Sequence, residues 1–375
     1  MAHLAILLQQ QGFEVTVIAA MPNYPTGRIF PGYRGKLWHS CDWKGIKVYR
    51  HALFPSNSNK KWHRALSLLS YILSLGLLVL PLLIRLRPQL MILSSPPFAT
   101  GYCGLLLSRF TRAKTLLNVS DLWPGSALEL GFMREGRLYR FLQSREQAMY
   151  RCATAFSVQS EAIATHIRHL QPQKSIFLYR NLPAAQAETS RERPHGKRKI
   201  VYAGLLGVAQ GVYDICRQVD FAALGTELHI YGAGREQEQI CQFLAQHPER
   251  GIYYHGSIPA EAIPAALCSY HAMLIPLQKQ LKGAVPSKIF NAMGNGLPIL
   301  LCGSDEAAAI VRETGTGLVS PSGDPAALAG NIRTLLSLDR QAYEQLRENC
   351  RQSMTGRFNR EVQDKAFVAF LQGLL

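Results

Sequence analysis

The residues of this chain best placed to do chemistry lie between Gly283 and Ala309, in GAVPSKIFNAMGNGLPILLCGSDEAAA. A loop ending Val285-Pro286-Ser287 runs into a short helix, Gly294-Asn295-Gly296-Leu297-Pro298 stops it, and the apolar strand Ile299-Leu300-Leu301 follows. A helix that opens beside a Pro-Ser pair presents free N–H groups and a positive dipole end, which suits phosphate. Lys288 in its first turn adds a point charge. An ordinary loop–helix–strand connection accounts for this stretch, taken alone, equally well. Two more strand ends carry glycine loops. In Tyr202 to Gln210, Gly204 and Gly207 let backbone amides approach a phosphate and Gln210 supplies a neutral donor; Gly232-Ala233-Gly234 repeats the device one unit later. Asp121 follows the strand Thr115–Val119, at the carboxyl end where open α/β sheets bind ligands. Capping of the next helix is the alternative for Asp121.

These positions need elements to hold them. Ala2 to Gln11 reads as a helix, with Leu4, Ile6, Leu7 and Leu8 on its apolar side, and Val15–Ile18 as a buried strand. A parallel sheet ordinarily begins with a strand and a glycine turn before its helix, so the front domain is expected to lack that first unit. Val48-Tyr49 and Leu90–Leu93 read as neighbouring strands of one sheet. Helices over Gly101–Phe110 and Leu138–Tyr150 alternate with strands at Thr115–Val119, Thr154–Val158 and Ile176–Tyr179, and Ser160 is an N-cap. Residues 184–199 are polar, charged and aperiodic, the best linker in the chain. Further α/β units follow, with Asp324 as cap and Pro325 at a first helical position. The divisions are 1–183, the linker 184–199, 200–357, and a C-terminal helix in 358–375.

Composition sets the class. At 375 residues the chain can bury two cores, and 47% hydrophobic with 18% charged residues describes a globular protein. A net charge of +16 calls for an acidic partner: nucleic acid, anionic lipid or phosphorylated substrates. No recognition helix, RNP motif or zinc finger is visible for nucleic acid. The eight cysteines are scattered and never spaced C-x-x-C, which fits a reducing compartment. Met1 leads into an amphipathic segment without a basic n-region, so no signal peptide is expected. Arg28 to Arg64 holds nine Lys or Arg against the single acid Asp42, with aromatics interleaved, and the nineteen residues from Leu66 to Ile84 carry no charge. That run is read as a crossover helix that also dips into a membrane interface, with a buried helix, a true span and a solvated basic surface as alternatives.

With these residues in view, the chain resembles the family 4 retaining glycosyltransferases of the GT-B architecture, in the branch that builds bacterial capsule, exopolysaccharide or O-antigen. Met21 to Gly27, Ser94 to Pro97, Asp121-Leu122-Trp123-Pro124, Tyr202 to Gln210, Val285 to Lys288 and Gly315 to Leu318 carry the resemblance in order along the chain. It implies two Rossmann-like, doubly wound domains facing a central cleft. It implies transfer of a sugar from a nucleotide-diphosphate donor to a lipid-linked glycan acceptor, without a metal, at the inner face of the plasma membrane. Asp121 and Lys288 are then the catalytic candidates. Gly204, Gly207, Gln210, Arg180, Gly232, Gly234, Ser287, Asn291 and Glu306 are expected at the donor, and Asn23 and Tyr24 at the acceptor. Retention in this family is described as front-side attack, so no carboxylate nucleophile is assigned.

Departures from the family pattern keep other readings open. The pair of Glu residues eight apart is replaced by Gly283 and Asn291, and Asn291 can still accept a hydrogen bond through its amide oxygen. Gly125 stands where the branch often has Glu after Asp-Leu-Trp-Pro. One alternative is a non-catalytic or impaired relative acting in binding or assembly. Another is a nucleotide-sugar 2-epimerase, which needs acid–base carboxylates and histidine in the cleft; no such cluster is legible.

Overall fold

The computed structural model describes residues 1–23, 27–56, 60–184, 198–278 and 281–375. Tyr24 and nearly all of the expected linker lie outside the described residues. The rear lobe holds one six-stranded sheet of β8 (Lys199–Ala203), β9 (Glu227–Tyr231), β10 (Ile252–Tyr254), β11 (Ala272–Pro276), β12 (Ile299–Cys302) and β13 (Gly317–Ser320). The spatial order is β10-β9-β8-β11-β12-β13 and every pairing is parallel. Helices cover both faces, so both faces must be apolar. Val201, Ala203, Met273 and Ile275 enter one core, and their neighbours Ile200, Tyr202, Ala272 and Leu274 enter the other.

The front lobe contains β1 (Thr16–Ala20), β2 (Trp38–Trp43), β3 (Ile46–His51), β4 (Leu90–Ser95), β5 (Lys114–Val119), β6 (Ala155–Val158) and β7 (Ile176–Leu178). They form two sheets, β1-β3-β2 and β4-β5-β6-β7. This corrects the expectation that Val48-Tyr49 and Leu90–Leu93 are neighbours. One edge of β3 is taken by β1, in parallel, and the other by β2, antiparallel across the tight turn at Lys44-Gly45. Both turn residues have positive φ, 54° and 78°, as a two-residue hairpin turn of the primed type requires.

The long apolar run is one continuous helix, Lys61–Leu86, with a π-helical stretch at Leu75–Val79. It follows β3 and precedes β4. The C-terminal helix Arg360–Leu374, capped by Asn359, crosses back to the front lobe. There Phe367, Val368 and Leu371 join Leu4, Leu8, Leu116 and Ala155 in one core. The front lobe is therefore assembled from both ends of the chain.

Candidate active site

The switch point of the rear sheet lies between β8 and β11, where successive connections leave in opposite directions; such a crevice is where open α/β sheets hold ligands. Two expected motifs converge there. The Gly204 loop follows β8, and the chain leaving β11 leads to the helix Ser287–Gly294, with Pro286 at its N-cap. Lys288 reaches from that helix to the end of β8. Its Nζ donates to Tyr202 Oη at 2.9 Å and lies 4.3 Å from the centre of the Tyr202 ring. A Cβ on Gly204 would sit 2.3 Å from Lys288 Cε, so glycine at 204 makes room for the lysine. Burial lowers the Lys288 pKa to about 8. Among the described residues no carboxylate lies within ion-pair distance of it.

The glycines let neighbouring backbone segments approach closely. Gly232, at φ 147°, would place a Cβ 1.8 Å from the Gly204 carbonyl oxygen, and a Cβ on Gly234 would meet the Leu206 carbonyl at 2.3 Å. The loops are also hydrogen-bonded together: Gly204 N–H donates to Tyr231 O, Leu206 N–H to Ala233 O, and Gly232 N–H to Gly256 O. The amides of Gly204 and Gly232 are thus committed within the lobe, a correction to their expected role. Leu205 and Gly207 are left as this loop's candidates for a phosphate. Gln210 turns into a cavity of about 70 Å³ shared with Asp214, Gln278 and Asp324. Its Oε1 is buried over Gly207, with no hydrogen-bond partner among the described residues. Asn291 is half-buried one turn beyond Lys288.

Arg180 and Glu306, both expected at the donor, meet each other. Arg180 Nη2 donates to Glu306 Oε1 at 2.6 Å, and both side chains are largely buried. The same carboxylate accepts the N–H groups of Glu161 (3.0 Å) and Ala162 (3.1 Å), at the start of the helix Glu161–Leu170. A carboxylate at a helix N-terminus is favoured by both the unpaired amides and the dipole. Glu306 comes from the rear lobe and its partners from the front, so this contact clasps the lobes. A second clasp joins Lys282 N–H to Glu129 Oε2 at 3.0 Å. It brings the segment after Asp121 against the loop that leads to Lys288.

Asp121 stands just past β5 and accepts from Ser126 Oγ at 2.9 Å. The N-cap of the following helix is Pro124, so the capping alternative does not describe it. Glu146, which the sequence reading did not single out, lies close by. Tyr150 Oη donates to Glu146 Oε1 at 2.8 Å. Burial raises the Glu146 pKa to about 7, helped by the negative charge of Asp121. An available signal was its position three and four residues before the buried Met149 and Tyr150, on the inner face of the Arg137–Cys152 helix. On the front lobe, Asn23 donates to Met21 O beyond β1, and Tyr24 is outside the described residues.

Comparison with known proteins agrees with this layout. The model described as "Glycosyl transferase 4-like domain" matches residues 1–175, and that described as "Glycosyl transferases group 1" matches 197–338. A protein of Escherichia coli named for colanic acid biosynthesis glycosyl transfer, WcaI, is 23% identical over 312 residues, covering 77% of this chain and 75% of WcaI. The glycosyltransferase WbjE of Pseudomonas aeruginosa is 24% identical, over 60% of each chain. Sucrose-phosphate synthase from Thermosynechococcus elongatus superposes with a TM-score of 0.76 at 14% identity, over 99% of this chain and 92% of its own. The lipopolysaccharide glycosyltransferase WaaG gives 0.63 at 13% identity, over 97% and 93%. TarM is longer, and this chain spans 57% of it. Two α/β lobes and domain matches that together cover most of its length make this chain a glycosyltransferase of GT-B architecture, similar to a glycosyl transferase 4-like domain over residues 1–175 and to a group 1 domain over 197–338.

Proposed function

We propose that the protein moves a sugar, with retention, from a nucleoside-diphosphate donor to a glycan acceptor carried on a polyprenyl diphosphate, in surface polysaccharide synthesis on the cytoplasmic side of the plasma membrane. The observation that carries this reading is the buried Lys288 ammonium at the β8/β11 crevice, without a carboxylate partner among the described residues. The names of the colanic acid relatives support the pathway class, and a related fold has been solved with UDP and glucose bound.

In the reaction, the bond from the anomeric carbon to the diphosphate oxygen breaks, and a bond to the acceptor oxygen forms on the same face. The acceptor proton passes to the departing diphosphate. The site must then stabilise charge growing on that leaving group. Lys288 and the first-turn amides beside Ser287 do so from the rear lobe, and no step is routed through a metal. Asp121, fixed by Ser126, positions the sugar or acceptor from the front. The interlobe clasps hold the two sets of groups in register, where small displacements cost large factors in rate.

The test is titration calorimetry with a panel of UDP- and GDP-sugars, followed by turnover with a polyprenyl-diphosphate acceptor. One donor that binds and is consumed supports the reading. Binding without turnover on any acceptor would favour the non-catalytic alternative, and failure of every donor to bind would remove the reading altogether.

A further inference from the structure

The Lys61–Leu86 helix buries only one stripe. Leu75, Val79 and Leu83 pack on Leu107, with Ile18, Trp38 and Met91 beside them. Two hydrogen bonds fix it to the lobe: Tyr71 Oη with Thr100 Oγ1 at 2.9 Å, and Ser74 Oγ with His51 Nδ1 at 3.0 Å. Its other side faces outward and is also apolar. Leu69, Leu73 and Leu77 are 54%, 53% and 73% exposed, with Leu68, Ile72 and Ile84 alongside. On the helix Phe98–Thr111, Leu106 and Phe110 are also exposed, on either side in sequence of Leu107, which packs on the longer helix. Within Ala65–Leu86 an eighteen-residue window reaches a mean hydropathy of 2.3, yet only 22% of it is buried. Isolated exposed leucines are ordinary, but a contiguous apolar ridge marks a binding surface.

Charge identifies what covers it. From Trp43 to Ser120 there is no Asp or Glu, and there are eleven Lys or Arg. Arg85 and Arg87 close the helix, Arg109 and Arg112 flank Phe110 in the sequence, and Lys60 precedes the helix. Two copies of this chain meeting ridge to ridge would face like charge with like. An anionic bilayer offers acyl chains to the leucines and phosphates to the basic rim. The anchoring argues against spanning: the inner stripe is fastened to the front lobe through Leu107, Thr100 and His51.

We propose that Ala65–Leu86, with Leu106 and Phe110, lies in the plane of an anionic membrane, its outer stripe among the acyl chains and its basic flanks at the headgroups. This names the partner for the lipid-carried acceptor and in purpose rests on that reading. Docking itself needs neither donor nor acceptor, so the two fail separately: donor binding without docking sinks this proposal alone.

The full chain is sedimented with vesicles of phosphatidylcholine, with or without phosphatidylglycerol. The wild type should pellet with the anionic vesicles, less so in high salt, and its tryptophan emission should shift to the blue. Trp62 is 59% exposed at the start of the helix, so Trp62→Phe should remove most of that shift. The variant L69D/L73D/L77D replaces only outward side chains; its circular dichroism and donor binding should match the wild type while vesicle binding falls on the order of tenfold or more. A wild type that stays in the supernatant, or a triple variant that pellets equally, overturns the proposal. So does a dimer, seen by ultracentrifugation and dissolved by the triple variant, in a chain that ignores vesicles.

Discussion

Replacing Lys288 by methionine should raise the stability of the empty protein while removing its hold on a diphosphate. The Lys288 pKa falls from an ordinary value near 10.5 to about 8 on folding, because the charged form loses water. That shift corresponds to about 3 kcal/mol against the folded state at neutral pH. The face of Tyr202, 4.3 Å away, returns about 1–2 kcal/mol of cation–π attraction. Methionine keeps the length without the charge, and Tyr202 still donates to the Leu205 carbonyl. The net gain expected for K288M is therefore about 1–2 kcal/mol. Its pH dependence has a definite sign. Below pH 8 both folded and unfolded wild type carry the proton, so the variant's advantage is full. Between about 8 and 10.5 the unfolded chain binds more protons than the folded one, wild-type stability rises, and the advantage shrinks to nothing. Urea unfolding of both proteins at pH 7 and pH 10 reads this directly. Calorimetry with UDP or GDP reads the other half: the phosphate restores the lysine's charge, so at pH 9 binding should take up close to one proton, and K288M should show neither that uptake nor the affinity. A variant less stable than wild type by the same amount at both pH values, or one that binds the nucleotide unchanged, would refute the argument.

Glu306→Ala leaves the buried Arg180 guanidinium without its counter-charge and releases two helix N–H groups. A loss of about 3 kcal/mol or more is expected, together with a larger radius of gyration by small-angle scattering as the lobes part; an unchanged radius would remove the clasp from the account. Glu146→Gln should make no difference near pH 3, where the wild-type carboxyl is protonated in both states. Above pH 7 the folded wild type bears the full cost of a buried charge, so the variant should be more stable by up to about 3 kcal/mol; equal melting temperatures at pH 8 would contradict the burial argument.

The rear lobe was legible because its signals are local. Short apolar runs end in glycine, and Asp324 caps its helix through the Ala327 amide with Pro325 in the first turn. Ser160 also caps as read, through the Ile163 amide. What the sequence concealed depends on contacts between distant segments. Nothing local ties Glu306 to residues 145 positions earlier, or says that a carbonyl on the neighbouring loop dictates glycine at 232. The hairpin at Trp38–His51 was partly readable. Its basic and aromatic residues read as a surface, while the Lys44-Gly45 turn that pairs Trp43 with Ile46 rests on a positive φ at lysine that residue type does not signal. Glu146 was hidden by its type, since a charged residue on a helix is ordinarily solvated.

The helix Arg360–Leu374 bears on how the molecule is made. A ribosome releases the residues of β4 to β7 long before Phe367, Val368 and Leu371 exist to cover Leu116 and Ala155. The later-synthesised half, with a six-stranded sheet and two cores of its own, can close while its predecessor still waits. Birth order and completion order are thus reversed, and residues 1–183 expressed alone should emerge as a sticky, half-clothed fragment in need of a chaperone.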